Sequence, residues 1–467
     1  MLDAPLLQNV APTITFWGAA RSVSGSMHVL HTPAGLILFD CGLVQGRGGE
    51  ADRRNGAFPF HPKKIAAVIV SHAHIDHCGN LPTLVRQGFR GPIFATPMTA
   101  ELATVMLADS AKIQEEESAY ANIRRRYAEP TIDPLYCTAD AARASGLFRP
   151  IEYNQPTEIL PGVTLTYSDA GHLPGSAVSH VRIATAHPAY SITYTGDLGR
   201  WELDLLPPPA ALPAAGLVIS ECTYGARHHP SVPETLDKLA EAVTTIANRD
   251  GKLIVPAFGL GRTQMVVHFL SRLMAQNRAP RLPIFVDSPL AAAVADVFRR
   301  FPKAFTFDLA VENDLVRYVA SFEESMKLVD RPGPCVVIAS GGMCEGGRIQ
   351  QHLARTIDDP RNMIVLVSYQ AQRTVGRQIL DRPPRVHFLG KDWPLWADVL
   401  HLEGFSGHAD RRDLLRHLTP LAGRNPVVCL VHSELLAAES LRAELQTAGL
   451  AHVKIPSPGD CIELSPD

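Results

Sequence analysis

The chain has 467 residues, 46% of them hydrophobic and 7% aromatic, which suits two or three domains of ordinary size that need no disulfide staples. A net charge of -3 and a pI near 6.7 give no global support to a polyanionic partner, so a bound nucleic acid would need a local basic groove. Eight cysteines without a CxxC pair fit reduced thiols, Met1-Leu2-Asp3-Ala4-Pro5 lacks an export signal, and no apolar segment approaches membrane-spanning length; the expectation is a soluble, cytoplasmic protein with no membrane partner.

From Thr13 to about Thr223, short apolar runs separated by turns predict strands at Ile14–Trp17, Leu36–Phe39, Ala66–Val70, Ile93–Ala95, Val163–Tyr167, Ser191–Thr195 and Leu217–Ile219. One helix interrupts them, from Pro97 through Glu115-Glu116-Glu117 to Tyr127, with Pro130 ending it. Arg124-Arg125-Arg126 at its end is a candidate basic patch, although such a triplet is commonly just a solvated face. Pro207 to Pro213 reads as a turn-rich connector. From about Pro233 the rhythm becomes strand-helix alternation: a helix to Asn248, strand Leu253–Pro256, a helix from Arg262, then strands Ile284–Val286 and Cys335–Ala339. That is the pattern of a parallel α/β unit. Strands Val365–Val367 and Val427–Val431 and the helix Asp410–Leu418 could complete either domain, and there is no internal repeat.

The run Ala66–Val70 ends in Ser71-His72-Ala73-His74-Ile75-Asp76-His77, which places three imidazoles and a carboxylate at a strand's C-terminal end, where open α/β folds put ligands. Imidazole nitrogens suit zinc, whereas magnesium and calcium sites are built almost wholly from oxygen. Asp40, His172, Asp197 and His432 likewise follow apolar runs. Each alone would pass for a turn former. Together they supply two zinc ions: His72, His74 and His172 for one, Asp76, His77 and His432 for the other, with the Asp197 carboxylate bridging. Asp40 then fits as a carboxylate orienting an imidazole, although a plain turn aspartate before Gly42 is nearly as good a local reading. Cys41, Cys78 and Cys222 each lie next to a candidate site residue and read as small buried hydrophobes, with a role supporting the site as the alternative.

Asp40, His72-x-His74-x-Asp76-His77, His172 and Asp197, in this order, resemble the motifs of the metallo-β-lactamase superfamily. Ser220-Glu221-Cys222-Thr223-Tyr224-Gly225, Phe405-Ser406-Gly407-His408-Ala409-Asp410 and Val431-His432-Ser433-Glu434 are similar to the three further motifs of its β-CASP branch. Pro256-Ala257-Phe258-Gly259-Leu260-Gly261-Arg262 and Ser340-Gly341-Gly342-Met343 also look like that branch. Ser433 and Ser368 stand where relatives often carry glycine. The resemblance covers essentially the whole chain and implies an α/β fold: a four-layer αββα sandwich with a parallel α/β β-CASP domain inserted. The implied division is 1–228 and 396–467 for the sandwich and 229–395 for the insert.

The branch comprises nucleases of the type of the cleavage and polyadenylation specificity factor nuclease subunit and its prokaryotic relatives. A histidine at 432 resembles the RNA-processing members, since DNA-repair members such as Artemis tend to carry valine there. The implied activity is therefore a zinc-dependent endoribonuclease acting on single-stranded RNA in a groove between the two domains. Two zinc ions would lower the pKa of water and offset charge on a phosphoryl group, with Asp76 also able to orient the attacking water. His408 would protonate the leaving ribose oxygen, with Glu221 fixing its tautomer. Helix capping is the plainer role for His408, and a surface carboxylate the plainer one for Glu221.

Backbone N–H groups of Ser340, Gly341 and Gly342 could cradle a phosphate, with Arg262 and Arg373 as clamps. A sterically required tight turn and ordinary surface arginines fit these residues equally. Other activities consistent with the motifs are a 5′ exoribonuclease such as the RNase J group, a thioesterase or lactonase of the superfamily, and a non-catalytic scaffold subunit. A homo-oligomer is left open.

Overall fold

Runs such as Leu36-Ile37-Leu38-Phe39 and Val427-Val428-Cys429-Leu430-Val431 have no polar face to turn to water, so they form strands covered on both sides. The structure, a computed structural model, describes residues 11–46, 49–123, 131–184, 189–307 and 315–466. The chain divides into two compact units, the first comprising 1–201, 206–228 and 408–467 and the second 202–205 and 229–407.

The strands of the first unit begin with β1 Thr13–Gly18, β2 Met27–Thr32, β3 Gly35–Phe39, β4 Ile65–Ile69, β5 Ile93–Ala95, β6 Phe148–Pro150, β7 Thr157–Leu160, β8 Val163–Asp169, β9 Ala177–Ile183, β10 Tyr190–Tyr194 and β11 Leu217–Glu221. The second unit holds β12 Lys252–Ala257, β13 Ile284–Asp287, β14 Val316–Tyr318, β15 Cys335–Ser340, β16 Met363–Leu366, β17 Arg385–Phe388, β18 Lys391–Pro394 and β19 Asp398–His401. The first unit then resumes with β20 Val427–Val431, β21 His452–Lys454 and β22 Cys461–Glu463. The return expected at residue 396 falls inside the second unit, because β19 extends that unit's sheet by pairing with β16.

In the first unit two sheets form, with strand orders β22-β1-β2-β3-β4-β5-β6 and β21-β20-β11-β10-β9-β8-β7. Successive side chains point to opposite faces. Ile37, Phe39 and Ile69 from one sheet therefore meet Ile192, Tyr194, Ile219 and Val431 from the other in a shared core. The alternate residues Val218, Val428 and Leu430 pack under helices Arg411–Leu418 and Leu435–Thr447 through Leu414, Leu418, Leu441 and Leu445. Each such leucine or valine contributes about 1.5–3 kcal/mol by leaving water. Leu38 and Val68 are buried on the far face of the first sheet, the side of helices Leu81–Arg86, Pro97–Ile123 and Thr138–Ser145. The layers are αββα.

Strand direction gathers the polar residues. β3 and β4 run parallel, as do β10, β11 and β20. β8 shares the direction of β10 because β9 lies antiparallel between them. The C-terminal ends of β8, β10, β11 and β20 thus share one edge of their sheet.

The second unit is built on a parallel six-stranded sheet of order β14-β13-β15-β12-β16-β19. Val255, Val286, Ile338 and Val365 face helices Val232–Asn248 and Arg262–Ala275, while Ile254, Val337 and Ile364 face Leu353 and Ile379 on the other side. Among the described residues no helix is long and apolar enough to cross a membrane. The long helix spans Pro97–Ile123; Arg124-Arg125-Arg126 and its expected end at Tyr127 lie outside the described residues.

Candidate metal centre

Three loops of the first unit converge on one buried cluster of side chains, joined by the end of β20. The loop after β4 carries His72 and His74, and the single helical turn Ile75–Cys78 that follows presents Asp76 and His77. His172 comes from the turn after β8, Asp197 from the turn after β10, and His432 from the end of β20. Gly42 makes the close approach of the loops feasible, since a Cβ there would lie 1.6 Å from the carbonyl oxygen of Asp76.

The sites assemble in two sets. His72 Nε2 lies 3.1 Å from His74 Nδ1, which lies 3.3 Å from His172 Nε2. Asp197 Oδ2 stands 3.4 Å from His72 and 3.6 Å from His172. In the other set His77 Nε2 lies 3.2 Å from His432 Nε2, and Asp76 Oδ2 is 3.5 Å from the latter. The second oxygen of Asp197, Oδ1, faces this set at 3.3 Å from His77. Taking one ligand atom from each residue, the atoms within each set lie within 4.8 Å of one another.

The donor chemistry fits a tetrahedral metal. Ligand atoms about 2.0–2.1 Å from a zinc ion at tetrahedral corners sit about 3.3–3.4 Å apart, and in the first set the His72–His74, His74–His172, Asp197–His72 and Asp197–His172 separations lie between 3.1 and 3.6 Å. Electrostatics point the same way. Burial alone would raise the carboxyl groups of Asp76 and Asp197, but the histidines packed against them hold both below the usual carboxylate range. Burial opposes an imidazolium at His77, and the Asp197 and Asp40 carboxylates outweigh it and push its pKa up. Buried carboxylates thus draw positive charge to the centre, which a bound cation also supplies.

Hydrogen bonds assign the imidazole tautomers. Asp40, fully buried after β3, accepts from His77 Nδ1 at 2.7 Å, from Ser71 N and Ser71 Oγ at 2.7 Å, and from Tyr194 OH at 2.6 Å. His77 Nε2 is thereby aimed at the centre. Ser71 Oγ, already donating to Asp40, accepts from His72 Nδ1 at 3.1 Å, which leaves His72 Nε2 as the inward atom. Thr223 Oγ1 donates to the His432 carbonyl at 2.9 Å and accepts from His432 Nδ1 at 3.1 Å, so Nε2 again points inward. Ser71, Tyr194 and Thr223 were not read from the sequence as part of the site. Their signal was slight: a hydroxyl beside a ligand motif, and a phenol at the end of a strand that also carries Ser191 and Thr193.

His408 borders the cluster, its ring centroid 4.5 Å from that of His172. Its Nδ1 lies 3.2 and 3.3 Å from the two carboxylate oxygens of Glu221. Glu221 is wholly buried and held by the backbone N–H groups of Leu198 at 2.6 Å and Thr223 at 3.3 Å. Burial works against the charged form of His408, but Glu221 and then Asp197 outweigh it and hold the pKa up at about 9.

Ser340, Gly341, Gly342, Arg262 and Arg373 belong to the second unit. The first three lie at the end of β15 and in the turn after it, Arg262 opens the helix after β12, and Arg373 follows β16, so all stand at the C-terminal edge of three adjacent strands.

Comparison with known proteins agrees with this architecture. Residues 21–257 match the family described as the metallo-beta-lactamase superfamily, 263–379 the Beta-Casp domain, and 394–456 the Zn-dependent metallo-hydrolase RNA specificity domain. The chain is 38% identical to Ribonuclease TTHA0252 of Thermus thermophilus over 91% of its own length and 95% of that protein's. It is 30% identical to the transcription termination factor FttA of Methanocaldococcus jannaschii, over 90% of this chain and 67% of the relative. In fold it resembles a crystal structure of a protein of unknown function from Enterococcus faecalis, with a TM-score of 0.57, 14% identity, and coverage of 97% of this chain and all of the other. The chain belongs to the β-CASP branch of the metallo-β-lactamase superfamily.

Proposed function

We propose that the protein is a zinc-dependent endoribonuclease that hydrolyses phosphodiester bonds of single-stranded RNA in the cytoplasm. The observation that carries this reading is the Asp197 carboxylate with one oxygen facing each histidine set, and the His408–Glu221 pair at the border of the same cluster. The ribonuclease named among the relatives, aligned over nearly its whole length, supports the substrate class.

His72, His74, His172 and Asp197 would hold one zinc ion, and Asp76, His77, His432 and Asp197 the second. Bound there, zinc activates water at neutral pH and offsets the charge that a phosphoryl group gathers in the transition state. Asp40, Ser71 and Thr223 keep the imidazoles in the tautomers that face inward. His408, its Nδ1 beside Glu221, would as an imidazolium donate a proton to the departing ribose oxygen, which would otherwise leave as a high-energy alkoxide. Glu221 is a positioning residue and compensates the imidazolium charge. Ser340, Gly341, Gly342, Arg262 and Arg373 are proposed to bind RNA phosphates.

The test is cleavage of one RNA labelled in parallel at its 5′ end, its 3′ end and internally, with His408→Ala and Asp76→Ala as controls and metal counted by mass spectrometry. The expected result is internal cuts that are lost in both variants, with about two zinc ions bound per wild-type chain. Mononucleotide release from the 5′ end would replace the endonuclease by an exonuclease. Intact RNA with both metals bound would overturn the ribonuclease reading.

A further inference from the structure

Two aromatic side chains at the edge of the second unit are exposed where burial would be expected. Phe258, directly after β12, keeps 43% of its surface in solvent and Tyr369, shortly after β16, keeps 51%. β12 and β16 are neighbours in the sheet, and β15 lies on the other side of β12. Both residues are tied to the same glycine of the turn after β15. A Cβ on Gly342 would lie 3.0 Å from two carbons of the Phe258 ring, so the ring rests on the glycine and a larger residue would displace it. Gln370 Nε2 donates to the carbonyls of Gly342 and Ser368, both at 3.0 Å, and this bracket holds Tyr369 between its two anchors. The Phe258 carbonyl is fixed by Thr263 Oγ1 at 2.8 Å.

The Phe258 ring lies against Gly342, and both side chains keep about half of their surface in solvent, which leaves aromatic surface available for a flat partner. We infer that Phe258 and Tyr369 are a stacking platform for two bases of a single-stranded RNA, beside the turn proposed to hold its phosphates. This rests on the ribonuclease reading above and deepens it by naming how bases, and not only phosphates, are gripped. Nucleobases suit the place because every base offers a π face, and Arg262 and Arg373 follow the same strand ends to meet the accompanying charge.

The probe is fluorescence anisotropy of a labelled oligouridylate against the matching ribose-phosphate oligomer that lacks bases. The protein is the full-length zinc-loaded chain carrying His408→Ala to slow turnover, and gels confirm that the probe stays intact. Phe258→Ala and Tyr369→Ala are each expected to weaken oligouridylate binding about 5- to 150-fold, the range for one lost base stack. The base-free oligomer should bind all variants alike, and Phe258→Trp and Tyr369→Phe should retain the parent affinity. An equal loss on both probes would mean that the residues only support the turn, and would overturn the platform. So would unchanged oligouridylate affinity in the alanine variants, or alanine variants that abolish self-association while RNA binding stays the same. If the parent protein binds neither oligomer, the ribonuclease reading fails first, which separates the two failures.

Discussion

Replacing Asp40 by asparagine perturbs the metal centre without touching an atom proposed to hold metal. The carboxylate accepts from Ser71 N on one oxygen and from Ser71 Oγ, His77 Nδ1 and Tyr194 OH on the other. An amide has one oxygen only. If that oxygen faces His77, the amide nitrogen opposes the Ser71 N–H and leaves a buried donor unmet, at a cost of about 1–3 kcal/mol. If the amide is reversed, its nitrogen opposes His77 Nδ1, and the imidazole loses the partner that fixes its tautomer. Either orientation also forfeits a charge-assisted bond, so the expected loss of metal affinity is about 10- to 100-fold, typical when a partner of a ligating histidine is changed. Competition with a graded series of chelators, read by the metal retained per chain, measures it, and thermal unfolding of the metal-free protein gives the structural cost separately. Unchanged zinc retention in Asp40→Asn would refute the claim that Asp40 positions His77 for a metal.

His408→Ala and Glu221→Gln are each expected to lower RNA cleavage by about 10²- to 10⁴-fold with zinc content preserved; a phosphodiester with a p-nitrophenolate leaving group, which needs no proton, should be spared most of that loss. Gly42→Ala should abolish zinc retention, because its Cβ would overlap the Asp76 carbonyl; an alanine variant with two metals would show that the loops are free to move apart. His417 is buried against Trp201, with ring centroids 4.1 Å apart and the rings tilted by 40°; burial, helped by Arg416, lowers its pKa to about 3. The unfolded chain therefore takes up the proton first between pH 6.5 and 3, stability is complete above 6.5, and at pH 5 the loss is about 2 kcal/mol. Urea titrations should show that loss shrinking in His417→Phe, and an identical pH profile would exclude it.

Much of the fold was legible because the strands it depends on are buried on both faces. Leu36–Phe39, Leu217–Ile219 and Val427–Val431 carry apolar residues at every position, so no knowledge of the partner sheet was needed. β2 and β9 escaped notice because His28, Ser179 and His180 break their apolar pattern, and yet His28 is fully buried. It stays neutral there, its pKa lowered to about 3 through burial and then the charge of His77 and His432, and that neighbourhood exists only in the folded state. The second compact unit runs on past residue 396 to Gly407 for a similar reason. β19 is four residues long and holds its place by parallel pairing with β16, which local composition does not encode. In the candidate centre, the side chains at strand ends announced themselves by type and spacing. The hydroxyls of Ser71, Tyr194 and Thr223 did not, since a hydroxyl becomes an orienting group only once a carboxylate or an imidazole distant in the chain is brought beside it, as His432 is beside Thr223.

The pairing of β11 with β20 sets a timetable for biosynthesis. Leu217 lies beside Val427, and the whole second unit's sheet is made between them. A nascent chain can therefore close that sheet, whose strands all lie between Lys252 and His401, before His408 or His432 has left the ribosome. Until then one histidine set lacks a member and Glu221 lacks its partner. On the proposed assignment, a polypeptide that emerges amid messenger RNA lacks its cleavage centre through most of its synthesis, as would an incomplete product released by a stalled ribosome.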